Sequence, residues 1–268
     1  MFKALVIIGV LYMSLFASML SVTFLDVGEG ESILISTPHK NHILVDSGNP
    51  KEAGRVVEAL RANSIDSLDA LILTHPHLDH IGGVFQLLDS IEVKHRYDNG
   101  ASLDNLGDFH RWYGEIYRDG NYSTLSKDDV LEFGGVVLEV LSPSKLTANL
   151  NNDSLVLKLT YNKTSILLMA DVTKSVEKEL IEENKNLKAD IIKIGHHGYK
   201  DATSPELLEA VQPSYAVISI NKNNIRNYPS KSVKELIKKH KIELFTTYQD
   251  GDISFKSDGK IVTPPKIR

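Results

Sequence analysis

Four side chains able to bind a divalent metal fall within six residues: His75, His77, Asp79 and His80. Imidazole and carboxylate donors together suit zinc, manganese or iron. His75 and His77 stand two apart, so in an extended loop they converge only where the backbone bends. A shared metal is the ordinary reason for such a bend. Asp79 and His80 follow at once and point another way, enough for a second ion. The chain has 10 histidines, and three of them in this short stretch are more than a solvated surface loop accounts for. Two more groups stand in the same kind of place. Asp171 follows the apolar run 165–169, and His196-His197 follow the run 190–194. Strand ends along one edge of a sandwich converge, so residues distant in sequence can meet there.

The elements that must position these groups can be read from hydrophobic pattern. Residues 68–73 form an apolar run that predicts a buried strand leading into the histidines. Pro76 stops that strand, and Gly82 and Gly83 are expected to allow a tight turn before a short helix over 84–88. Upstream, strands are predicted at 22–27, 32–36 and 42–45, followed by a helix over 54–62. A strand at 91–95 follows the first helix after the histidines. Residues 97–129 read as an irregular insertion over the site, with Trp112 and several tyrosines in it and a possible helix at 111–118. In the second half, strands are predicted at 136–141, 154–161 and 165–169, the last two joined by the two-residue turn Asn162-Lys163. A helix capped by Thr173 runs to about residue 184, and Ser204-Pro205 opens another. A strand at 216–220, a helix over 230–240 and strands at 243–246 and 253–256 complete the chain. The sum is one α/β domain of two packed sheets with helices outside, built as two similar halves.

The 268 residues are 42% hydrophobic and 24% charged, enough for one sizeable core. With no cysteine, disulfides and thiolate metal sites are excluded. The net charge of −5 argues against a dedicated nucleic-acid binder, but it is unevenly spread. Residues 185–268 carry 15 Lys+Arg against 9 Asp+Glu, and a basic region near an anionic ligand set would attract a phosphate-bearing substrate. Residues 1–20 are set apart from the domain at 21–268. Lys3 precedes an apolar run over 4–20, which reads as a signal sequence or single membrane anchor. Membrane association through 4–20, with the domain outside the cytoplasm, is therefore expected.

The H-x-H-x-D-H order at a strand end resembles the metallo-β-lactamase-fold hydrolases. The stretches Leu25–Glu31 (LDVGEGE), Leu44–Gly48 (LVDSG), Thr74–Gly83, Asn152–Val156, Leu167–Asp171 and Lys193–Gly198 (KIGHHG) look most like the hydrolase domain of ComEC-type competence proteins. The resemblance covers nearly all of residues 22–220. It implies an αββα sandwich of two mixed sheets with helices on the outer faces, and two divalent metal ions, zinc or manganese. By position, His75 and His77 would hold one metal and Asp79, His80 and His196 the other, with Asp171 bridging. Asp46 would orient the ligand loop, and His197 would contact phosphate or support a ligand, although the adjacency leaves His196 and His197 interchangeable. Many members have a third histidine for the first metal where this chain has Asn151-Asn152-Asp153, so Asn151 and Asn152 are taken as supporting or substrate-binding residues. More oxygen donors would favour manganese. Because the family's hydrolase domain usually follows a large membrane region, this chain is not expected to be an import channel itself.

Two adjacent cations would lower the pKa of a shared water towards about 7 and clamp a phosphate oxygen, with Asp79 and Asp171 at the reacting centre. The expected activity is metal-dependent phosphodiester hydrolysis, with DNA as the leading substrate. Lys193, Lys200, Ser204 and the lysines of the 230–240 helix, Lys231, Lys234, Lys238 and Lys239, are candidates to hold backbone phosphates. The alternatives are a small-ester hydrolase, acting on phosphorylcholine, a lactam or a thioester, and a binding module with a degraded site. No protein partner is implied.

Overall fold

The period-two alternation of the strands divides their apolar residues between three separate cores, and this sets the layering. The structure, a computed structural model, describes residues 19–183, 186–221 and 228–265. One sheet has eight strands in the order Val262–Thr263, Ile253–Ser257, Leu20–Phe24, Ile33–Ser36, His42–Val45, Ala70–Leu73, Arg96–Asp98, Tyr122–Thr124. The other has seven, in the order Glu243–Thr246, Tyr215–Ile218, Ile191–Lys193, Thr164–Leu168, Val156–Tyr161, Val136–Ser142, Val130–Phe133. Both are mixed: His42–Val45 pairs parallel with Ala70–Leu73, and Thr164–Leu168 parallel with Ile191–Lys193.

Ile43, Val45, Ala70 and Ile72 point between the sheets and pack with Leu157, Leu159, Ile166 and Leu168. Leu44, Leu71 and Leu73, one residue out of phase, face the other way onto Val56, Leu60, Val84 and Leu87 of the helices Ala53–Ala62 and Val84–Ser90. Leu167, Ile192 and Ala216 do the same for Val176, Leu180, Leu207, Leu208 and Val233 on the second sheet. The result is the expected four-layer αββα sandwich of two mixed sheets. At about 25 cal/mol per Å² of buried apolar surface, each fully buried Leu or Ile adds roughly 1.5–3 kcal/mol, and this burial holds the layers together.

Several expectations are corrected. Leu20, assigned to the segment before the fold, is the first residue of an edge-proximal strand, 2% exposed and paired with Ser257. The remainder of the apolar N-terminal run, up to residue 18, lies outside the described residues. Among the described residues, no helix is long and apolar enough to cross a membrane. Residues 97–129 are not an irregular insertion. Arg96–Asp98 and Tyr122–Thr124 extend the first sheet, and Asp108–Tyr117 is a helix across its outer face. Tyr113 and Tyr117 are buried and stacked at 4.8 Å, and their hydroxyls reach Asp98 and the Leu71 carbonyl. They are therefore packing residues. Trp112 is half exposed and does not line the main cleft. Gly82 and Gly83 have ordinary helical backbone (φ −64° and −82°). What requires glycine is close approach: a Cβ on Gly83 would stand 2.2 Å from the Ser47 carbonyl oxygen.

Candidate metal centre

Three loops at the ends of central strands form the floor of a cleft of about 910 Å³. After Ala70–Leu73 the chain runs through His75, Pro76 and His77 into a single helical turn, Leu78–Ile81, which carries Asp79 and His80. Asp171 follows Thr164–Leu168, and His196-His197 follow Ile191–Lys193. The two strands before these last groups are parallel neighbours in the second sheet, so their ends lie side by side. The first loop comes from the other sheet and meets them across the sandwich.

Ligand-capable atoms gather in two groups, each within 4.8 Å. Asp79, His80, Asp171 and His197 form one; His75, His77 and Asp171 form the other. Asp171 belongs to both. Its Oδ1 lies 3.4 Å from His80 Nε2 and 3.6 Å from His197 Nε2, and its Oδ2 lies 3.9 Å from His75 Nε2. Asp79 Oδ2 is 3.4 Å from His197 Nε2, and His75 Nε2 is 3.0 Å from His77 Nδ1.

The imidazoles are fixed from behind. His80 Nδ1 donates to Asp46 Oδ2 at 2.7 Å, and Asp46 in turn accepts from the Thr74 N–H (2.7 Å) and hydroxyl (2.8 Å). His197 Nδ1 donates to the Ser219 carbonyl at 2.9 Å. A carbonyl can only accept, so His197 Nδ1 carries a proton and Nε2 is the ring atom left to ligate. The expected orienting role of Asp46 has this geometry: fully buried, one residue past a strand, and hydrogen-bonded to His80.

A metal fits these residues. His80 Nε2, Asp171 Oδ1 and His197 Nε2 are all buried without a hydrogen-bond partner, and all three face one another. Buried polar atoms are nearly always satisfied, so three orphans in one group mark the place of a cation. Without a cation among these groups, charge balance falls to protons: against burial, Asp171 and Asp46 hold His80 well above the ordinary imidazole value, and Asp171 and Asp79 raise His197, so a cation would bind in place of those protons. Burial would raise Asp171, but His197, His80 and His75 outweigh it and hold its carboxyl well below the usual range. Asp79 is likewise held down against burial by His197 and His80. Burial, then His80, pushes His75 well below the ordinary imidazole value, which leaves it neutral and free to ligate.

The geometry brings His197 into the group rather than the expected His196. Both residues have left-handed backbone (φ 46° and 49°), and these two successive turns aim the second ring at Asp171. The His196 ring instead lines the cleft wall, with Nδ1 on Asp201 Oδ1 at 2.8 Å. Asn151 lines the cleft, but Asn152 does not: its amide binds Thr173 Oγ1 at 2.8 Å and Ser175 Oγ at 3.2 Å. Ser204 caps the helix Pro205–Val211 by accepting from Leu207 N, and Lys200 stands over the Tyr199 ring. Neither lines the cleft. Lys193 is fully buried in an ion pair with Glu31, so it cannot hold a substrate phosphate. Lys231, Lys234, Lys238 and Lys239 sit on an outer helix, away from the cleft lining. One residue was missed in the sequence. His110, buried on the Asp108–Tyr117 helix, donates Nε2–H to the Pro76 carbonyl at 2.7 Å and pins the centre of the His75–His77 bend. The helix read from the sequence at 111–118 begins at Asp108 in the structure, which brings His110 into its first turn.

A profile of the metallo-beta-lactamase superfamily matches residues 25–220. The chain is 32% identical over 260 residues to ComE operon protein 3 of Bacillus subtilis (strain 168), an alignment covering 90% of this chain and 34% of that protein. It is 29% identical over 238 residues to competence protein ComA of Neisseria gonorrhoeae, covering 88% and 32% respectively. The chain thus spans about a third of the length of these curated relatives. The solved metallo-beta-lactamase fold protein YhfI from Bacillus subtilis has the same fold, with a TM-score of 0.61 at 13% identity over 89% of this chain and 100% of that one.

Proposed function

Because the chain belongs to the metallo-β-lactamase superfamily, we propose that it is a metal-dependent phosphodiesterase whose substrate is DNA. The observation that carries the reading is the pair of ligand groups sharing Asp171 at the floor of an open cleft. No serine, threonine, tyrosine or cysteine lines that cleft among the described residues, so water is the available nucleophile. Bound divalent cations, zinc or manganese, would supply Lewis acidity that activates this water and offsets charge on a phosphoryl oxygen. His75, His77 and Asp171 would hold one, and Asp79, His80, Asp171 and His197 the other. Asp46 and the Ser219 carbonyl keep the His80 and His197 rings in the ligating orientation. His110 holds the bend between the first two histidines. Asp171 stays ionised against its burial, so its carboxylate is available to both groups.

DNA as substrate is supported by the likeness to a protein named for competence. A second reading, hydrolysis of a small phosphodiester or other ester, is favoured by the cleft lining. Among the described residues that line it, Glu29, Glu52, Asp79 and Asp171 stand with one lysine, Lys51. The apolar run that begins at residue 4 and precedes the first strand supports placing the domain outside the cytoplasm, anchored or exported. The test is hydrolysis of bis(p-nitrophenyl) phosphate and nicking of plasmid DNA with zinc or manganese. Metal-dependent cleavage of both, lost in a folded His77→Ala variant, is expected. Cleavage of the small diester alone selects the second reading, and undiminished cleavage by His77→Ala refutes the metal chemistry.

A further inference from the structure

The two ligand groups are unequal. One has four residues, the other only three, two imidazoles and the shared carboxylate. A divalent transition metal takes at least four donors. Asn151 is a neutral oxygen donor in the lining of the cleft that His77 and Asp171 also line. The loop that carries it is fastened at both ends to the same strand ends that bear the ligands. Leu155 N donates to the carbonyl of Thr74, the residue before His75, at 3.0 Å. Asn152 accepts from Thr173, two residues past Asp171, through both its N–H (3.3 Å) and its hydroxyl (2.8 Å). The loop is held further by Asn99, whose amide donates to the Asp153 carbonyl at 2.7 Å. Asn151 is therefore suspended between the approaches to His75 and Asp171, and it lines the same cleft as His77 and Asp171.

The side chains of this loop divide by role. Asn152 spends its amide on Thr173 and Ser175, and Asp153 accepts from the Thr147 N–H and hydroxyl, both at 2.7 Å. Two of the loop's side-chain atoms, Asn151 Oδ1 and Ser154 Oγ, are buried with no hydrogen-bond partner, and of these two residues only Asn151 lines the cleft. Asn151 Oδ1 shares that condition with His80 Nε2, Asp171 Oδ1 and His197 Nε2, the atoms that converge in the other group. An amide oxygen is a hard, neutral donor, and an orphaned one at an incomplete ligand set has a cation as its natural partner.

We propose that Asn151 Oδ1 is the fourth protein ligand of the His75–His77–Asp171 metal site. The proposal rests on the metal-dependent reading of this centre. The donor set becomes two imidazoles, one shared carboxylate and one amide oxygen. It carries less negative charge than the Asp79–His80–Asp171–His197 set, so this site binds metal more weakly and fills second. Replacing an imidazole donor by an oxygen also lowers its preference for zinc over manganese.

The experiment measures metal directly, without turnover. Purified full-length chain is stripped with chelator and titrated with zinc and with manganese, following stoichiometry by elemental analysis and manganese by its electron paramagnetic resonance signal. Wild type should take two equivalents, one tight and one weak. Asn151→Ala should keep the tight equivalent and weaken the other at least about tenfold, a change corresponding to roughly 1.4 kcal/mol. Asn151→His should restore the weak equivalent and shift it towards zinc, which a role confined to loop structure would not do. Circular dichroism and the retained tight equivalent report that each variant is folded. Two equivalents at wild-type affinity in Asn151→Ala overturn the assignment and leave the hydrolase reading standing. A wild-type chain that takes no metal sinks both. Two equivalents with no hydrolysis of any diester would sink the function alone.

Discussion

Lys193→Met is expected to cost more stability than any change on the cleft rim. Lys193 and Glu31 are 0% and 1% exposed in their side chains, and they join the second sheet to the loop that leads from Leu20–Phe24 into Ile33–Ser36. At an effective dielectric of about 20, two unit charges in contact attract by on the order of 4–5 kcal/mol. Desolvating both charges consumes most of that, so the intact pair adds little net stability. Removing one partner is different, because it strands the other charge in the core at a cost of about 3–5 kcal/mol. Glu31 would then sit uncompensated in a loop whose backbone N–H holds the Asp79 carbonyl and whose carbonyl accepts from Gly48 N. Urea unfolding of chelator-stripped protein reads the effect without a contribution from bound metal. With a slope near 2–3 kcal/mol per molar, the midpoint should fall by roughly 1–2 M. The double variant Glu31→Leu/Lys193→Met, which removes both charges and keeps the volume, should recover most of the loss. A midpoint for Lys193→Met within about 0.3 M of wild type would refute the reasoning, since that outcome needs Glu31 to find water or another cation.

Two further changes probe the scaffold of the centre. Asp46→Asn removes the carboxylate behind His80 while keeping the shape and one oxygen for Thr74, and metal affinity measured by chelator competition should fall about 10–100-fold; a change under about threefold would mean that His80 is oriented by something else. Gly83→Ala puts a methyl 2.2 Å from the Ser47 carbonyl oxygen, a backbone atom that cannot turn aside, and should cost about 1–3 kcal/mol, seen as a melting temperature lower by roughly 2–12 °C; an unchanged melting temperature would show that the two loops are not packed this closely.

What the sequence made legible was local. Alternation separated Ile43 and Val45 from Leu44, and Ala70 and Ile72 from Leu71 and Leu73, which is enough to require a sheet covered on both faces. Each candidate ligand stood just after such a run, so the hook of His75 to His80, Asp171 and the histidine pair could be found without coordinates. What stayed hidden depended on partners far along the chain or on backbone conformation. Lys193 carries the same charge as a surface lysine, and only Glu31, 162 positions away, turns it into a core residue. His196 and His197 are identical in type and adjacent, so pattern cannot rank them; two consecutive left-handed conformations do. Residues 97–129 hold glycines at intervals that mimic a loop, whereas Asp98 collects Tyr113, Tyr122 and Arg118 and makes a packed layer of them. Asn151 belongs to the same class. An asparagine where a histidine is usual reads in sequence as a loss of chemistry. In the folded chain, Thr74 and Thr173 hold its loop between the strand ends that lead to His75 and Asp171, and that placement is what makes its amide oxygen the proposed fourth donor.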